Sequence, residues 1–490
     1  MKRRESIRKI AGLASGLTIF KAINLSGQNF YQGNIVSGPY TTGNGDNNPL
    51  MQESELKIPA GDPRFDWWRK ARFGMFIHWG LFSEGGFGDG YVSAEEYERR
   101  RKAFSAPAFD ADSWAQLAVD AGMHYLVLVC RHVDGFCLWP SRYSDFTVAR
   151  TPLGVDVVRK VAEACQRKGL KFCAYIAIPD FFHPDWPTGI GLDGSKKKDP
   201  QMDRFVIYLK NQVKELIEGY KPSLIWFDGD NEAPWTHEYG LDLYKWCRSL
   251  DHNLIINNRV DKGRQGLKLG DGKKPEDFTG QVGFDMNLFN YFRTPRPAGD
   301  YAGDYGTPEQ YAGAFDRTYP WETCMTLGQN WTWKSGETLK SVEELTGILA
   351  KCAGGDGNLL LNTGPRGDGS IDPQQAARMR GIGKWLSLNG SAIYGTRGGP
   401  WKPGKYGAST CSGSHINIIV TDKSITEITL PALPVSIIDC HLNGSPFKHQ
   451  DTGGNLIFAL PPALPDEPVR IVKLKIDVSA VSIAPIAVYP

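Results

Sequence analysis

Residues 124–135, HYLVLVCRHVDG, contain an apolar run that stops at Arg131 and is followed by His132, Asp134 and Gly135. A short apolar run without polar alternation is typical of a strand that is buried on both faces. Titratable side chains directly after such a strand lie at the edge of the core. The stretch therefore predicts a buried strand that delivers polar groups to one end of a sheet.

The same kind of run recurs along residues 73–365, and amphipathic stretches lie between several of the runs. In the longest of these stretches, Phe205, Leu209 and Val213 fall on one helical face. Strands that alternate with helices predict a parallel sheet, and up to eight of them predict a (β/α)8-like barrel. The predicted strands are FGMFIHWG (73–80), HYLVLVCRH (124–132), LKFCAYIAI (170–178), SLIWFDG (223–229), NLIINNR (253–259), QVGFDMN (281–287), WETCMTLG (321–328) and NLLLNTGP (358–365). The predicted helices cover 110–122, 156–169, 202–220, 241–251 and 341–355, and none is evident between the fifth and seventh strands, where we expect the barrel to be irregular.

The chain divides into two folded parts in this interpretation. The barrel is assigned to residues 61–395. Beyond residue 395 the helical patterns end, and short alternating runs separated by Gly, Pro, Asn and Asp predict a small antiparallel β-sandwich over residues 396–490.

The N-terminal residues have a composition of their own. Residues 1–22 contain Arg3 and Arg4 in a basic start and continue with a weakly apolar stretch, which is the pattern of an export signal or, alternatively, of a frayed amphipathic helix. Residues 23–60 are rich in Gly, Asn and Pro, which indicates a linker or arm. We expect a periplasmic or extracellular protein.

Composition excludes several classes of function. The 56 Lys and Arg residues nearly balance the 54 Asp and Glu residues, and a net charge of +2 provides no electrostatic footprint for nucleic acid. No later run approaches the ~20 apolar residues that span a bilayer. The nine Cys residues are scattered without CxxC spacing, so they predict neither a zinc site nor a disulfide framework. We expect no metal and no organic cofactor.

Polar residues occur at the ends of these strands, where barrel enzymes hold their chemistry. Asp228 follows the buried run SLIWF and is either a site carboxylate or part of an Asp-Gly turn. Arg259, near the end of the next strand, is positioned to keep Asp228 ionised, as a nucleophile requires. The other polar residues in this group are His78, His132, Asp134, Tyr175 and Glu322.

Two residues are candidates for a second, proton-donating carboxylate. Glu309, in GDYGTPEQ, is predicted either on a loop that reaches into a cleft or in the first turn of a helix after Pro308. Glu322 begins a strand beside Trp321, where desolvation would raise its pKa as an acid catalyst requires.

The motifs FIHWG, FDADSWAQLAVDAG followed by HVDGF, IWFDG, TPEQ, WETCMTLGQNWTW and GNLLLNTGPRGDGSID resemble, in that order, glycoside hydrolase family 29, the retaining α-L-fucosidases. The resemblance covers roughly residues 60–395, and it implies a barrel followed by a sandwich. It also implies a double displacement on a fucosylated oligosaccharide or polysaccharide, with Asp228 as nucleophile and Glu309, in preference to Glu322, as acid/base.

The resemblance also implies the residues that bind the sugar. Trp226 would close one side of the pocket, and Trp331 or Trp333 would receive the C5 methyl group. The remaining implied sugar ligands are His78, Glu95, His132 and Tyr175.

The chain departs from the family pattern at two positions. Val133 stands where the family usually has a second His, and Glu96 stands where it usually has Trp. These changes keep open a related glycone, such as α-L-galactose or a substituted fucose. Two other hypotheses are a catalytically inactive sugar-binding relative and a barrel metallohydrolase that uses His78, His132, Asp134 and Asp228.

Overall fold

The structure is a computed structural model that describes residues 61–83, 93–262, 301–464 and 468–488. The predicted export signal (1–22), the predicted arm (23–60) and the predicted strand at 281–287 lie outside the described residues.

A parallel sheet forms the wall of the first part of the chain. Its strand order is β5-β4-β3-β2-β1-β7-β6, and every neighbouring pair is parallel. Each of the seven strands lies inside a run that the sequence predicts, so the barrel-like fold is confirmed. The strands are β1 Phe73–Ile77, β2 Tyr125–Arg131, β3 Lys171–Ala177, β4 Leu224–Asp228, β5 Ile255–Ile256, β6 Glu322–Thr326 and β7 Asn358–Thr363.

Helices cover the outside of this sheet, and the five predicted from periodicity are present. Each buries an apolar stripe; in the fifth helix along the chain Phe205, Leu209 and Val213 are fully buried, as their spacing predicts. The helices are α1 Asp66–Ala71, α2 Ala94–Ala103, α3 Ala111–Asp120, α4 Val157–Arg167, α5 Met202–Tyr220, α6 His237–Leu250, α7 Val342–Gly354 and α8 Pro373–Asn389. None of the helices in the described ranges is long and apolar enough to cross a bilayer.

An irregular segment, residues 301–313, lies between β5 and β6. Isolated parallel bridges join Asn257 to Tyr305 on the β5 side and Glu309 to Cys324 on the β6 side. The amide of Gln310 donates to the Cys324 carbonyl at 3.0 Å. Glu309 is therefore on an irregular segment that bridges to β6, so the predicted loop describes it and the predicted helical turn does not. Gln310 has a φ of 63°, which is incompatible with a helix that continues from Pro308.

The strand register places Glu322 and Asp228 at opposite ends of the barrel. Glu322 is the first residue of β6 and pairs with Asn358, the first residue of β7. Asp228 is the last residue of β4 and pairs with Ala177, the last residue of β3. Because all seven strands are parallel, Glu322 lies at the opposite end of the sheet from Asp228.

Two antiparallel sheets form the C-terminal part, as predicted. One has the order β13-β12-β16-β10-β9-β8 and the other β11-β15-β14, and their apolar faces share one core that includes Ile418, Leu430, Phe458 and Val472. The strands are β8 Arg397–Gly398, β9 Gly407–Ser412, β10 His415–Val420, β11 Glu427–Pro431, β12 Ile437–Leu442, β13 Ser445–Pro446, β14 Gln450–Asp451, β15 Asn455–Ala459 and β16 Arg470–Ile476.

Asp356 joins the barrel to the sandwich. It forms ion pairs with Arg72 at 2.6 Å and with Arg397 at 2.7 Å, and it accepts the Gly398 amide at 2.9 Å. Burial works against ionisation here, but the two guanidinium groups and the amide outweigh it and lower the pKa of Asp356. The carboxylate is thus a buried charge shared by both parts of the chain.

We predict that Asp356→Asn destabilises the protein by about 3–5 kcal/mol, because it leaves the buried guanidinium of Arg72 without a counter-charge. The free energy of unfolding from urea titration tests this. Asp145→Asn is the matched control, since Asp145 pairs with Arg150 while 95% of its side chain is exposed, and little change is expected. Equal effects of the two substitutions would contradict the prediction.

Candidate active site

Arg259 connects two carboxylates at the C-terminal end of the barrel. Its Nη1 lies 2.9 Å from Oδ1 of Asp228, and its Nη2 lies 2.8 Å from Oε2 of Glu309. Its Nε donates to the Thr307 hydroxyl at 2.9 Å, and the guanidinium lies over the Trp226 ring at 4.5 Å. With 1% of its side chain exposed, Arg259 is a fixed positive charge between two partly exposed acids.

Asp228 is held at both of its oxygens. The hydroxyl of Tyr175 donates to Oδ2 at 3.0 Å, while Oδ1 accepts from Arg259. Gly229 follows with a φ of 84°, and a Cβ at that position would lie 2.4 Å from the Pro179 ring. The Asp-Gly turn predicted as an alternative is therefore present, and it is the turn that aims the carboxylate at Arg259 and Tyr175.

A stack of rings lies beside Asp228. His132 stacks on Tyr175 with ring centroids 5.6 Å apart, and Tyr175 stacks on Trp226, also at 5.6 Å. Burial lowers the pKa of His132 to about 4, so the ring is neutral at physiological pH. Trp226 is 1% exposed, and its ring contacts both Tyr175 and the Arg259 guanidinium. That it closes one side of a sugar pocket stays a prediction.

His78 lies between this stack and Trp331, with its ring 6.0 Å from that of His132 and 5.8 Å from that of Tyr175. Their ring centroids are 4.9 Å apart, and His78 Nδ1 lies 2.6 Å from Oδ1 of Asn362. Burial lowers the pKa of His78 to about 3. Trp333 is held elsewhere, because its indole donates to Asp372 at 3.0 Å, so Trp331 is the one of the two predicted tryptophans that contacts the histidine cluster.

Glu322 lies inside the barrel with no exposed surface. Its carboxylate accepts hydrogen bonds from the Tyr125 hydroxyl, from the Trp226 indole at 3.3 Å and from the Tyr305 hydroxyl at 3.4 Å. Burial raises its pKa to about 7, in the direction that the sequence predicts. The structure does not bring Glu322 to Asp228, because Glu322 begins β6 at one end of the parallel sheet and Asp228 ends β4 at the other.

Two other predicted residues lie outside this cluster. Glu95 is exposed in the first turn of α2, and Asp134 is buried, with its Oδ1 accepting the Phe136 amide at 3.2 Å. Burial raises the pKa of Asp134 to about 7. The described part of the chain contains no group of three or more His, Cys, Asp or Glu side chains that could hold a metal ion. All nine Cys residues are buried and form no disulfide.

Two polar residues of the site were not predicted from the sequence. Thr307 supports Arg259, and Asn362 joins His78 to the Trp331 carbonyl. Asn362 carries the same signal as Asp228, a polar residue at the end of an apolar run, in NLLLNTGP. Thr307 carries no such signal, because it lies on the irregular segment between β5 and β6.

Chemically, the cluster offers two carboxylates, neutral imidazoles and a phenol beside aromatic surface. This combination suits a ligand that has several hydroxyl groups and one apolar face. Paired carboxylates are also the arrangement with which glycosidic bonds are cleaved.

Comparison with known proteins agrees with this chemistry. The family model described as alpha-L-fucosidase matches residues 51–391. The chain is 29% identical to an alpha-L-fucosidase of Branchiostoma floridae over 374 residues, which is 69% of this chain and 74% of that protein. It is 27% identical to the plasma alpha-L-fucosidase of Homo sapiens, over 67% of this chain and 69% of that one.

Solved structures show the same architecture. Alpha-L-fucosidase isoenzyme 1 from Paenibacillus thiaminolyticus superposes with a TM-score of 0.70 at 29% identity and covers 84% of this chain and 99% of that one. A GH29 alpha-L-fucosidase from Bacteroides thetaiotaomicron, trapped as a covalent intermediate, superposes with a TM-score of 0.71 at 23% identity, over 87% of this chain and 99% of that one. The chain therefore belongs to the alpha-L-fucosidase family of glycoside hydrolases, family 29, and is an enzyme.

Proposed function

We propose that the enzyme releases terminal α-L-fucose from fucosylated oligosaccharides or polysaccharides by a retaining double displacement. The observation that carries this proposal is the shared guanidinium of Arg259, which holds Asp228 and Glu309 side by side at the C-terminal end of the barrel. Beside them lie the neutral histidines, the Tyr175 hydroxyl and the Trp331 ring. These groups combine hydrogen-bonding atoms with an apolar face, which suits a deoxy sugar that has hydroxyl groups and a methyl group.

In the first step, an oxygen of Asp228 attacks the anomeric carbon and forms a glycosyl ester. Glu309 gives its proton to the glycosidic oxygen, and the alcohol leaves. In the second step, Glu309 takes a proton from water, whose oxygen attacks the same carbon and breaks the ester. Fucose is released, and both carboxyl groups return to their starting states.

Arg259 matches the charge of the site at each stage of this scheme. Before the first step Asp228 is the anion and Glu309 holds the proton. In the glycosyl-enzyme Asp228 is a neutral ester and Glu309 is the anion. One guanidinium that contacts both groups neutralises whichever is charged, so no buried charge is left unpaired.

The shared contact also supports retention. Retaining enzymes hold their two carboxyl groups about 5–5.5 Å apart, whereas inverting enzymes leave room for a water molecule between them. Two carboxylates that contact adjacent nitrogens of one planar guanidinium are held close together. The Bacteroides thetaiotaomicron enzyme of the same fold is described as a trapped covalent intermediate, which is a species that retention requires.

A substituted fucose is the second candidate for the glycone, and Val133 is the observation that favours it; α-L-galactose, which adds a hydroxyl group, is not favoured by this residue. Val133 is 8% exposed and belongs to the same apolar cluster as Phe82 and Tyr175. An imidazole at this position would offer a hydrogen bond to a sugar hydroxyl, and valine offers only apolar surface. An O-methyl or other apolar substituent on the sugar fits such a surface better than a free hydroxyl.

For the carboxylates, we predict that Asp228→Ala abolishes hydrolysis of an aryl α-L-fucoside and that Glu309→Ala slows it by about 10²–10⁴-fold on a poor leaving group. Azide then separates the two roles. Added to Glu309→Ala it should yield the α-fucosyl azide, since the glycosyl-enzyme still forms, and added to Asp228→Ala it should yield the β-fucosyl azide. Full activity of either variant without azide would contradict the mechanism, and circular dichroism controls for folding.

For Glu322, we predict that Glu322→Gln still hydrolyses the aryl α-L-fucoside without added azide, as the wild type does. Because burial raises its pKa from 4.5 to about 7, the folded state retains a proton that the unfolded state loses. The free energy of unfolding of the wild type therefore falls as pH rises from about 4.5 to about 7, and part of that slope should be absent in Glu322→Gln. Urea unfolding at several pH values measures it, and azide rescue of Glu322→Gln would instead identify this residue as the acid/base.

For the glycone, we predict that Val133→His raises kcat/KM for an unsubstituted aryl α-L-fucoside relative to its O-methylated derivatives, because the imidazole adds a polar partner and removes apolar surface. Val133→Ala is the matched control, since it removes volume without adding polarity. The ratio of kcat/KM values over a panel of monomethylated fucosides and an α-L-galactoside is the measurement. A ratio that Val133→His leaves unchanged would reject the substituted glycone.

A further inference from the structure

A chain of two hydrogen bonds lies behind His78. Asn362, the fifth residue of β7, is 1% exposed, and its Nδ2 donates to the backbone carbonyl of Trp331 at 2.6 Å. Its Oδ1 lies 2.6 Å from Nδ1 of His78, which is 5% exposed. One amide therefore holds both a histidine and the backbone of a tryptophan that flank the pocket.

Which atoms can donate and which can only accept fixes the position of every proton in these two hydrogen bonds. A carbonyl oxygen can only accept, so the amide nitrogen of Asn362 faces Trp331 and the amide oxygen faces His78. The amide oxygen also only accepts, so His78 carries its hydrogen on Nδ1. A neutral imidazole has one N–H, and Nε2 of His78 is consequently a bare acceptor. Among the described residues, none forms a hydrogen bond to Nε2.

We propose that Asn362 is a positioning residue that fixes His78 as a hydrogen-bond acceptor, so that the pocket selects a glycone whose hydroxyl donates to Nε2. This inference rests on the proposed function for the identity of the ligand, a sugar. In this proposal Nε2 of His78 accepts a hydrogen bond from the sugar. A free hydroxyl facing Nε2 can donate that bond, whereas an O-methyl group or a deoxy position cannot.

The charged groups around His78 explain why position 362, next to Nδ1 of His78, suits an amide side chain and not a carboxylate. His132 and Asp228 face the ring from β2 and β4 with opposite effects on its charge, and the Tyr175 ring lies 5.8 Å away. Burial and His132 dominate and keep His78 neutral. A carboxylate at position 362 would add a second anion beside Nδ1 and favour the imidazolium, which has no acceptor at all.

Asn362→Asp is therefore the decisive substitution, because it keeps shape and reverses the effect on the charge of His78. The measured quantity is the Kd of the variant for L-fucose divided by the Kd of the wild type at the same pH. We expect this ratio to grow by about tenfold or more as pH falls from about 8 to about 5, the range in which a histidine titrates most readily. Asn362→Ala removes the control of the tautomer without adding charge, and we expect about a tenfold weaker Kd at every pH. Calorimetric titration with L-fucose measures both.

Asn358 offers a matched control on the same strand. It is buried at the opposite end of β7, and its Nδ2 also donates to a tryptophan carbonyl, that of Trp68, at 2.9 Å. Asn358→Ala should leave the Kd for L-fucose and its pH dependence unchanged. A pH-independent ratio for Asn362→Asp, or equal losses in Asn362→Ala and Asn358→Ala, would overturn the proposal in favour of a structural role.

Nitrogen-15 spectra of histidine-labelled enzyme test the tautomer without any ligand, with His78→Gln supplying the assignment. The proposal requires a protonated Nδ1 and an unprotonated Nε2 on His78 in the wild type, and loss of this single tautomer in Asn362→Ala. The opposite tautomer in the wild type would refute it. If the wild type neither bound L-fucose nor released it from an aryl α-L-fucoside, the proposed function would be wrong. The spectra would still decide the role of Asn362 in that case.

Discussion

The bidentate contact of Arg259 with Asp228 and Glu309 is the interaction on which the site depends. An arginine with 1% of its side chain exposed is costly unless its charge is matched, and here two carboxylates and the face of Trp226 match it. The contact also closes the barrel. Arg259 follows β5, and Glu309 belongs to the irregular segment 301–313 that bridges to β6, so the guanidinium joins the two sides of the one gap in the described sheet.

Glu309 and Glu322 lie in different surroundings in this barrel, and their burial and contacts differ accordingly. Glu322 is isolated from solvent among phenol and indole donors, where burial raises its pKa to about 7. It accepts the indole N–H at the edge of Trp226, while Arg259 lies over the face of the same ring. Glu309 is 13% exposed and contacts the same guanidinium as Asp228. A raised pKa therefore accompanies the glutamate that is buried away from Asp228, and the link to Asp228 through Arg259 accompanies the one proposed as acid/base.

Recognition of the glycone in the proposed function relies on neutral polar groups on rigid elements. His78 and His132 follow β1 and β2 directly, and their rings remain uncharged because desolvation lowers both pKa values. A neutral imidazole offers one nitrogen that donates and one that accepts a hydrogen bond from a sugar hydroxyl, whereas an imidazolium can only donate. Val133 places apolar surface next to His132, and this contrast between adjacent residues suits a sugar that carries both hydroxyl and apolar groups.

The sequence alone determined the barrel, the sandwich and the position of Asp228, because buried parallel strands have a recognisable apolar pattern and the residue after each strand must lie at its end. Tertiary structure decided which side chains meet. Arg259 and Glu309 are 50 positions apart in the sequence, and no local pattern predicts that they share a hydrogen bond. The same holds for Glu322 and Trp226, 96 residues apart, and for His78 and Asn362, 284 residues apart. Local periodicity fixes which end of a strand a residue occupies, whereas only the packing of distant strands around one core determines its neighbours.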